Sequence, residues 1–279
     1  MKKENIIKTI AASLGFFVIW AVITNVVNLS IQFFYYFTYS ELRLADYEAF
    51  TQQVRTIIQA NNIYIVLFQF VLFFIVVFVF FRVKGANFST RIKWNSVSKQ
   101  TYALVAAFAI STIVALNFLM DFLLPQSWVQ GASEYTDAFT SGGFLTIVLV
   151  VLIAPFGEEL LMRGFMTTRL LGRLPIWFVV AFPTILFGVG HAAGGMGQII
   201  GTTVTGLVFT LVFVWTNSLR ASVLAHALNN LLAAFLPWGA IKAGLNIPVQ
   251  LMVGIVGFAI AVFIAYKIYK RWDKEIVIV

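Results

Sequence analysis

Eight apolar runs succeed one another along the chain, separated by polar or Gly/Pro-marked gaps. They run from about Ile10 to Phe34, Tyr64 to Phe81, Tyr102 to Leu124, Leu145 to Leu161, Pro175 to His191, Gln198 to Trp215, Ala221 to Trp238 and Val249 to Tyr269. A hydrocarbon core about 30 Å thick takes around 20 apolar residues per helix, so each run predicts a transmembrane helix. The expected fold class is an all-α polytopic membrane protein with about eight transmembrane helices. Behind Lys2, Lys3 and Lys8 the first run imitates a signal peptide. It continues to about Phe37 without a small-residue cleavage site, however, and reads as the first span.

Basic residues in short connections should fall on alternate sides if this span count holds. They do. Lys2, Lys3 and Lys8 precede the first run, and Arg82, Lys84, Arg91, Lys93 and Lys99 join the second to the third. Arg163, Arg169 and Arg173 follow the fourth, Arg220 precedes the seventh, and Lys267, Lys270, Arg271 and Lys274 close the chain. The other side receives only Arg43, Arg55 and Lys242, with Glu41, Asp46, Glu48, Glu134 and Asp137. Both termini are therefore expected to be cytoplasmic. The basic connection also carries Phe88, Ile92, Trp94 and Val97, a pattern that fits an amphipathic helix on anionic lipid or a plain positive-inside loop.

Composition agrees: 61% of the 279 residues are hydrophobic and only 11% charged, which a soluble core could not absorb. The net charge of +8 sits between apolar runs rather than along one surface, so a nucleic-acid partner is not expected. With no cysteine there is no disulfide, thiolate nucleophile or Cys-ligated metal.

Charges inside a bilayer are costly enough that those retained tend to face inward and act. Within the runs they are Glu158 and Glu159 in the fourth, His191 at the end of the fifth, His226 in the seventh and Asp121 near the outer end of the third, with both histidines of the chain among them. Adjacent glutamates on a helix point about 100° apart and cannot share one role. Glu159 stands i,i+4 from Arg163 with the acid first, the better order for an ion pair, which leaves Glu158 free as a general base. Phe187 and His191 share a helical face at i,i+4, and Gly190 and Gly194 have the spacing that lets a neighbouring helix approach. His226 and Asn230, again four apart, could donate together to a developing oxyanion, with Asn229 directed elsewhere. These are the parts for amide hydrolysis by activated water. Alternatively Glu158, His191 and His226 form a His₂Glu set for Zn²⁺ with an open fourth position. HExxH is absent.

Glu158-Glu159-x-x-x-Arg163, Phe187-x-x-x-His191 and His226-x-x-x-Asn230, in that order on successive hydrophobic segments, resemble the CPBP (Abi) family of intramembrane proteases. That family includes CAAX prenyl endopeptidases of the Rce1 type and bacteriocin-processing or immunity proteins. The resemblance covers about Leu145 to Trp238. It implies an endopeptidase acting on a membrane-anchored peptide or protein substrate, with Glu158 activating water, His191 as its partner, His226 and Asn230 at the oxyanion, and Glu159, Arg163 and Phe187 in support. It leaves a metalloprotease with Zn²⁺ and a metal-free mechanism both open. Residues 1–142 are expected to form an N-terminal transmembrane region, 143–240 the catalytic core with its chemistry on helices four, five and seven, and 241–279 a last helix with a basic tail. The location that follows is a bacterial cell membrane.

Two other function classes compete: a non-catalytic immunity or scaffold protein of the same fold, and a proton-coupled transporter using Glu158 and the histidines as a relay. No broken-helix pair or inverted repeat supports the transporter. The pattern Gly197-x-x-x-Gly201 suits internal packing as well as dimerisation, so oligomeric state stays open. One geometric difficulty stands. His191 lies roughly 24 Å along its run and His226 only about 9 Å beyond Arg220, so straight upright helices would not bring them together. Either the fourth helix continues past Arg163, which is the favoured solution, or tilt and the Gly188/Gly190 pair bend the chain inward.

Overall fold

The computed structural model describes residues 3–83, 87–140 and 143–275. A helix occupies every one of the eight expected places: α1 (Lys3–Thr38), α2 (Asn62–Val83), α3 (Lys99–Leu123), α4 (Gly143–Leu170), α5 (Ile176–Gly190), α6 (Gly195–Thr216), α7 (Leu219–Phe235) and α8 (Ile247–Glu275). Among the described residues there is no strand. The protein is an all-α, multi-pass membrane protein. By length and composition six of these helices can cross a bilayer, α1 to α4, α6 and α8. The other two, α5 with 15 residues and α7 with 17, are shorter. They are also the two that carry the histidines. Lys2 and Lys84 lie outside the described residues, as do residues 141–142 at the boundary expected between N-terminal region and core, and nothing is described of the Asp137 side chain.

The chain forms two compact units, residues 14–86 and the remainder. In the first, an aromatic seam joins α1 to α2: the Trp20 ring sits 4.7 Å from Phe70 and 5.4 Å edge-on to Phe73. One polar pair interrupts it, where the Gln69 amide donates to Asn28 Oδ1 at 3.0 Å. Such a bond holds apolar helices together where lipid supplies no hydrophobic drive. Between α1 and α2 a short helix, Ser40–Ala45, leads to Tyr47–Ala60, which Asp46 caps by accepting from the Ala49 N–H at 2.9 Å.

In the second unit α3 lies along α8, α5 along α6, and α7 is inserted between α3, α6 and α4. Thus α3 and α8 share one compact unit with the 143–240 segment they flank in sequence. Small residues set the close approaches. A Cβ on Gly254 of α8 would come within 2.7 Å of Leu119, and one on Gly206 of α6 within 2.8 Å of the Phe187 ring. The expected approach at Gly190 is displaced by half a turn. Nothing lies within 4 Å of a Cβ there, whereas one on Gly188 would overlap the Thr203 hydroxyl. Gly197 packs on the Trp128 carbonyl of the connecting helix Gln126–Thr140, and Gly201 on the Met120 sulfur, so both positions of that pattern serve internal packing.

The helix α4 does continue past Arg163, to Leu170, and it is not a regular α-helix. Wider π-helical turns cover Leu149–Ile153 and Leu160–Thr167, and Pro155 follows the first. Proline supplies no N–H, and π turns collect where a helix accommodates such a gap, often at functional sites. In the second stretch side chains supply donors to the carbonyls of the ladder: Thr167 Oγ1 donates to Met162 O at 2.8 Å and Thr168 Oγ1 to Arg163 O at 2.9 Å.

The basic connection before α3 turns Ile92 and Trp94 into the protein. After one turn, Phe88–Arg91, it folds inward, burying Ile92 and setting Trp94 edge-on to Phe156 of α4. It is stitched to the α6–α7 turn: Asn95 Nδ2 donates to Asn217 O at 2.8 Å, Ser218 Oγ to Asn95 O at 2.5 Å, and the Leu219 N–H to Lys93 O at 2.9 Å. Ser218 also caps α7 by accepting from the Ala221 N–H. This strap fixes the start of α7, and with it the height of His226.

Candidate functional site

Glu159 and Arg163 form the sealed centre of the second unit, each with no exposed side-chain area. The pair expected from the sequence is made, Nη1 to Oε1 at 2.6 Å. A buried ion pair survives only if its remaining hydrogen-bonding capacity is also met. Here it is. Arg163 Nη2 donates to the Gly206 carbonyl at 2.7 Å and to Thr210 Oγ1 at 3.1 Å, while Glu159 accepts from Ser222 Oγ at 2.5 Å and from His226 Nδ1 at 2.9 Å. Arg163 also lies over the rings of Phe187 and Phe209, its guanidinium carbon 5.0 and 5.6 Å from their centroids.

This centre orients one histidine. Because the Glu159 carboxylate can only accept, His226 must present a protonated Nδ1 to it, which turns Nε2 outward. The ring is also clamped by stacking on Phe209 at 4.4 Å and by the edge of Phe187 at 5.5 Å. His191 is oriented by a different device. It stands at the C-terminal cap of α5, where its Nδ1 donates to the Phe187 carbonyl at 2.8 Å, a group left over by the ending helix. A short turn, Ala192–Gly194, and Gly195 at φ +77° then reverse the chain into α6, a conformation that costs glycine little.

Both outward-facing Nε2 atoms point at Glu158. Its Oε2 lies 3.9 Å from His191 Nε2 and 3.8 Å from His226 Nε2, too far for direct hydrogen bonds. Glu158 and His191 keep 29% and 25% of their side-chain surface exposed, against 4% for His226, so the trio is open on one side. The structure therefore brings together Glu158, Glu159, Arg163, Phe187, His191 and His226. Helix α4 continues past Arg163 as expected, and both histidines reach Glu158.

Asn230 stands apart from the trio in its described hydrogen bonds. Its Nδ2 donates to the Val150 carbonyl on α4 at 2.9 Å, and its Oδ1 accepts from Asn229 Nδ2 at 3.2 Å. Asn229 therefore turns toward Asn230 rather than away from it. Sequence reasoning passed over Ser222, Thr210 and Phe209, and with them the part played by α6. Ser222 carried a legible signal, one turn before His226 on the same face. The partners on α6 carried none, since a Thr and a Phe within an apolar run are the usual content of a membrane helix.

Zinc is the metal that two histidines and a carboxylate can hold. The donor set fits: two imidazole Nε2 atoms and a carboxylate, each ring held from behind at Nδ1 by an oxygen acceptor, as metal-binding histidines are. The spacing is wider than zinc sets, since tetrahedral bonds of about 2.0–2.2 Å place neighbouring ligand atoms roughly 3.4 Å apart. Among the described residues no three His, Asp or Glu side chains are gathered to direct metal-bonding distance.

Residues 140–232 match the family model described as type II CAAX prenyl endopeptidase, Rce1-like. This segment is Rce1-like. The match covers about a third of the chain and takes in every residue of the trio and of the centre behind it. No curated protein and no solved structure matches the chain. The Rce1-like segment also includes α6 as far as Thr210 and beyond, in agreement with the contacts that tie this helix to Arg163.

Proposed function

We propose that the protein is an intramembrane endopeptidase that hydrolyses a peptide bond of a membrane-anchored or lipidated peptide. The observation that carries this reading is the convergence of Glu158, His191 and His226 at 3.8–3.9 Å with their acceptor atoms facing one another. Three acceptors this close call for a donor among them, and a water molecule supplies one. Such a water donates one hydrogen to Glu158 Oε2 and the other to an imidazole Nε2. A lone pair is then left for the scissile carbonyl carbon.

As the new C–O bond forms, Glu158 takes the proton; as the C–N bond breaks, it returns that proton to the departing amide nitrogen, giving a carboxylic acid and an amine. No covalent acyl-enzyme is formed. His226, taking a proton at Nε2 from water at the opening before attack and releasing it there after the product leaves, donates it as a hydrogen bond to the oxyanion, with Glu159 holding the ring from behind. Were zinc the cofactor, Glu158, His191 and His226 would hold it, and it would supply a more acidic bound water. The opening beside Glu158 and His191 suits entry of an extended peptide whose anchor remains in lipid, and a bacterial cell membrane is the location proposed for it.

The test is cleavage of a membrane-anchored peptide library by the purified protein and Glu158→Gln, each with and without o-phenanthroline and added zinc. Glu158→Gln should lower kcat by at least about 10²-fold while leaving thermal stability within a degree or two of wild type. Retained cleavage by the folded variant defeats the proposal. Loss on chelation with recovery on adding zinc assigns a metalloprotease; indifference assigns water activated by glutamate alone.

A further inference from the structure

Helices α3 and α8 lie side by side without closing along their whole length. Gly257 lets them touch: a Cβ there would come within 3.2 Å of the Ala115 nitrogen and 3.3 Å of the Ser111 carbonyl. Beside that contact runs a groove of about 490 Å³. Its floor is made by Ala107, Ser111 and Gly257, and the exposed side chains of Ile110, Val256 and Ile260 form its rim. Ser111 carries the one polar side chain among the described lining residues. Its hydroxyl is bonded within its own helix, 2.8 Å from the Ala107 carbonyl and 3.1 Å from that of Phe108. Nothing in the groove asks for a polar occupant, and a hydrocarbon chain suits it. Along α8 the lining runs from Met252 to Ile264, roughly 18 Å. One leaflet contributes about 15 Å to the hydrocarbon core, so the groove has the length of a single acyl chain.

The same stripe of α8 continues beyond the groove into two cations. Val256, Ile260, Ile264, Lys267 and Arg271 succeed one another at three- and four-residue spacing and share one face of the helix. Lys267 stands roughly 4–5 Å and Arg271 roughly 10 Å past Ile264 along the axis, the depth at which headgroups begin. The stripe on α3 leads back from Ala107 to Gln100, where the two helices meet again: Arg271 Nη2 donates to Gln100 Oε1 at 3.2 Å, and Nη1 lies 3.5 Å from the Thr101 hydroxyl. Lys267 lies over the Phe263 ring at 5.1 Å. Among the described residues neither cation is paired with a carboxylate. Both retain donors for a further acceptor.

An apolar groove one leaflet long that ends on two cations without counter-charge is complementary to an amphiphile with a hydrocarbon tail and an anionic head. From this we infer a binding site for an anionic phospholipid: one acyl chain lies between α3 and α8, and its phosphate is held by Lys267 and Arg271. The site shares no residue with the Glu158 trio and does not depend on the protease reading.

The experiment uses the full-length protein, stripped of lipid in a neutral detergent and followed by thermal unfolding and native mass spectrometry. Three probes are compared: dioleoyl phosphatidylglycerol, dioleoyl phosphatidylcholine, and glycerol phosphate, which has the anionic head without chains. Near saturation phosphatidylglycerol should raise Tm by about 3 °C or more and the other two by less than about 1 °C. The double variant Lys267→Gln/Arg271→Gln should bind phosphatidylglycerol about 30-fold more weakly. Lys267→Arg/Arg271→Lys keeps both charges and should bind within about threefold of wild type. Ala107→Phe fills the groove, leaves the cations in place and should abolish binding; if it does not fold, the charge variants decide.

An equal response to the two phospholipids overturns the inference and leaves a groove that takes any acyl chain. An equal response to glycerol phosphate also overturns it, since the cations would then form an anion site without the groove. A dimer of the lipid-free protein that Ala107→Phe disperses assigns the groove to a second copy of the chain and overturns it as well. No arm requires cleavage, so a protein that cleaves nothing would defeat the protease reading while leaving this inference decidable.

Discussion

Two neighbouring carboxylates live in opposite environments. Glu159 is sealed, and its two oxygens accept from Arg163, His226 and Ser222. Glu158, the preceding residue, is 29% exposed and has two imidazole nitrogens just beyond hydrogen-bonding reach. The backbone makes the difference: successive residues on a helix diverge by about 100°, so one side chain enters the α6–α7 interface while the other faces the opening. A satisfied charge builds structure, and an unsatisfied one held beside it is ready for chemistry. The same substitution at the two positions should therefore fail in different ways.

The largest effect is expected from Glu159→Gln. It removes the negative charge from a pair with no solvent access and leaves Arg163 buried as an unmatched cation, a kind of change that costs about 3–5 kcal/mol. It also sets an amide NH₂ against Ser222 or His226, both of which now donate to the carboxylate, so one of those bonds is lost. Little folded protein should be recovered from detergent, and what is recovered should melt about 10 °C or more below wild type. Glu158→Gln, by contrast, should melt with wild type and fail only in cleavage. A Glu159→Gln protein of normal stability that merely lost activity would erase the contrast and put Glu159 among the reacting groups.

How much of this contrast the sequence carried depended on how local each interaction is. The Glu159–Arg163 pair and the Phe187–His191 relation are spaced i,i+4, and helical geometry alone predicts them. The convergence of Glu158, His191 and His226 joins three helices. Periodicity does not reveal it; a match to a family pattern does. The length of α4 was readable, because Gly164 to Leu170 contain nothing that ends a helix. Its π turns were not, although Pro155 marked where the backbone would need help. Asn230 shows the limit most clearly. Its spacing from His226 suggests a shared donor role, whereas the bond its amide makes to the Val150 carbonyl, 80 residues earlier on another helix, is not something spacing can reveal. The folding of Ile92 and Trp94 inward was hidden for a similar reason, since an apolar side chain in a basic loop can meet lipid or protein equally well.

A smaller effect, and a finer probe of the sealed centre, comes from Ser222. Its hydroxyl has one hydrogen and two acceptors in reach, Glu159 Oε2 at 2.5 Å and the Phe209 carbonyl at 2.9 Å, and the charged acceptor takes it. Ser222→Ala leaves the ion pair intact and removes one of the donors to Glu159. The expected cost is about 1–3 kcal/mol, read as a fall in Tm of several degrees. Cleavage should drop by less than about tenfold, because Arg163 and His226 still hold the carboxylate. A loss of activity as complete as that of Glu158→Gln, at unchanged Tm, would move Ser222 to the reacting side of the division.

The smallest effect should come from an ion pair of this unit that lies far from the trio. Near the C-terminal end of α3, Asp121 meets Lys242 of the short helix Trp238–Ala243 at 2.5 Å, with about a fifth of each side chain exposed. Lys242 has only one other described acceptor, the Asn117 carbonyl at 3.4 Å. Unlike Arg163, it can regain water if the pair is broken, so the desolvation penalty that makes Glu159 indispensable is largely absent. Pairs of this kind contribute about 0–1 kcal/mol. Asp121→Asn should shift Tm by less than about 3 °C, less still at high salt, and leave kcat and KM as in wild type. If it abolished cleavage instead, the C-terminal end of α3 would have to reach the substrate, and the chemistry would not be confined to the opening beside Glu158. Burial without access to water, rather than ion pairing as such, is what separates the two classes of charge in this protein, and Asp121→Asn set against Glu159→Gln measures that separation directly.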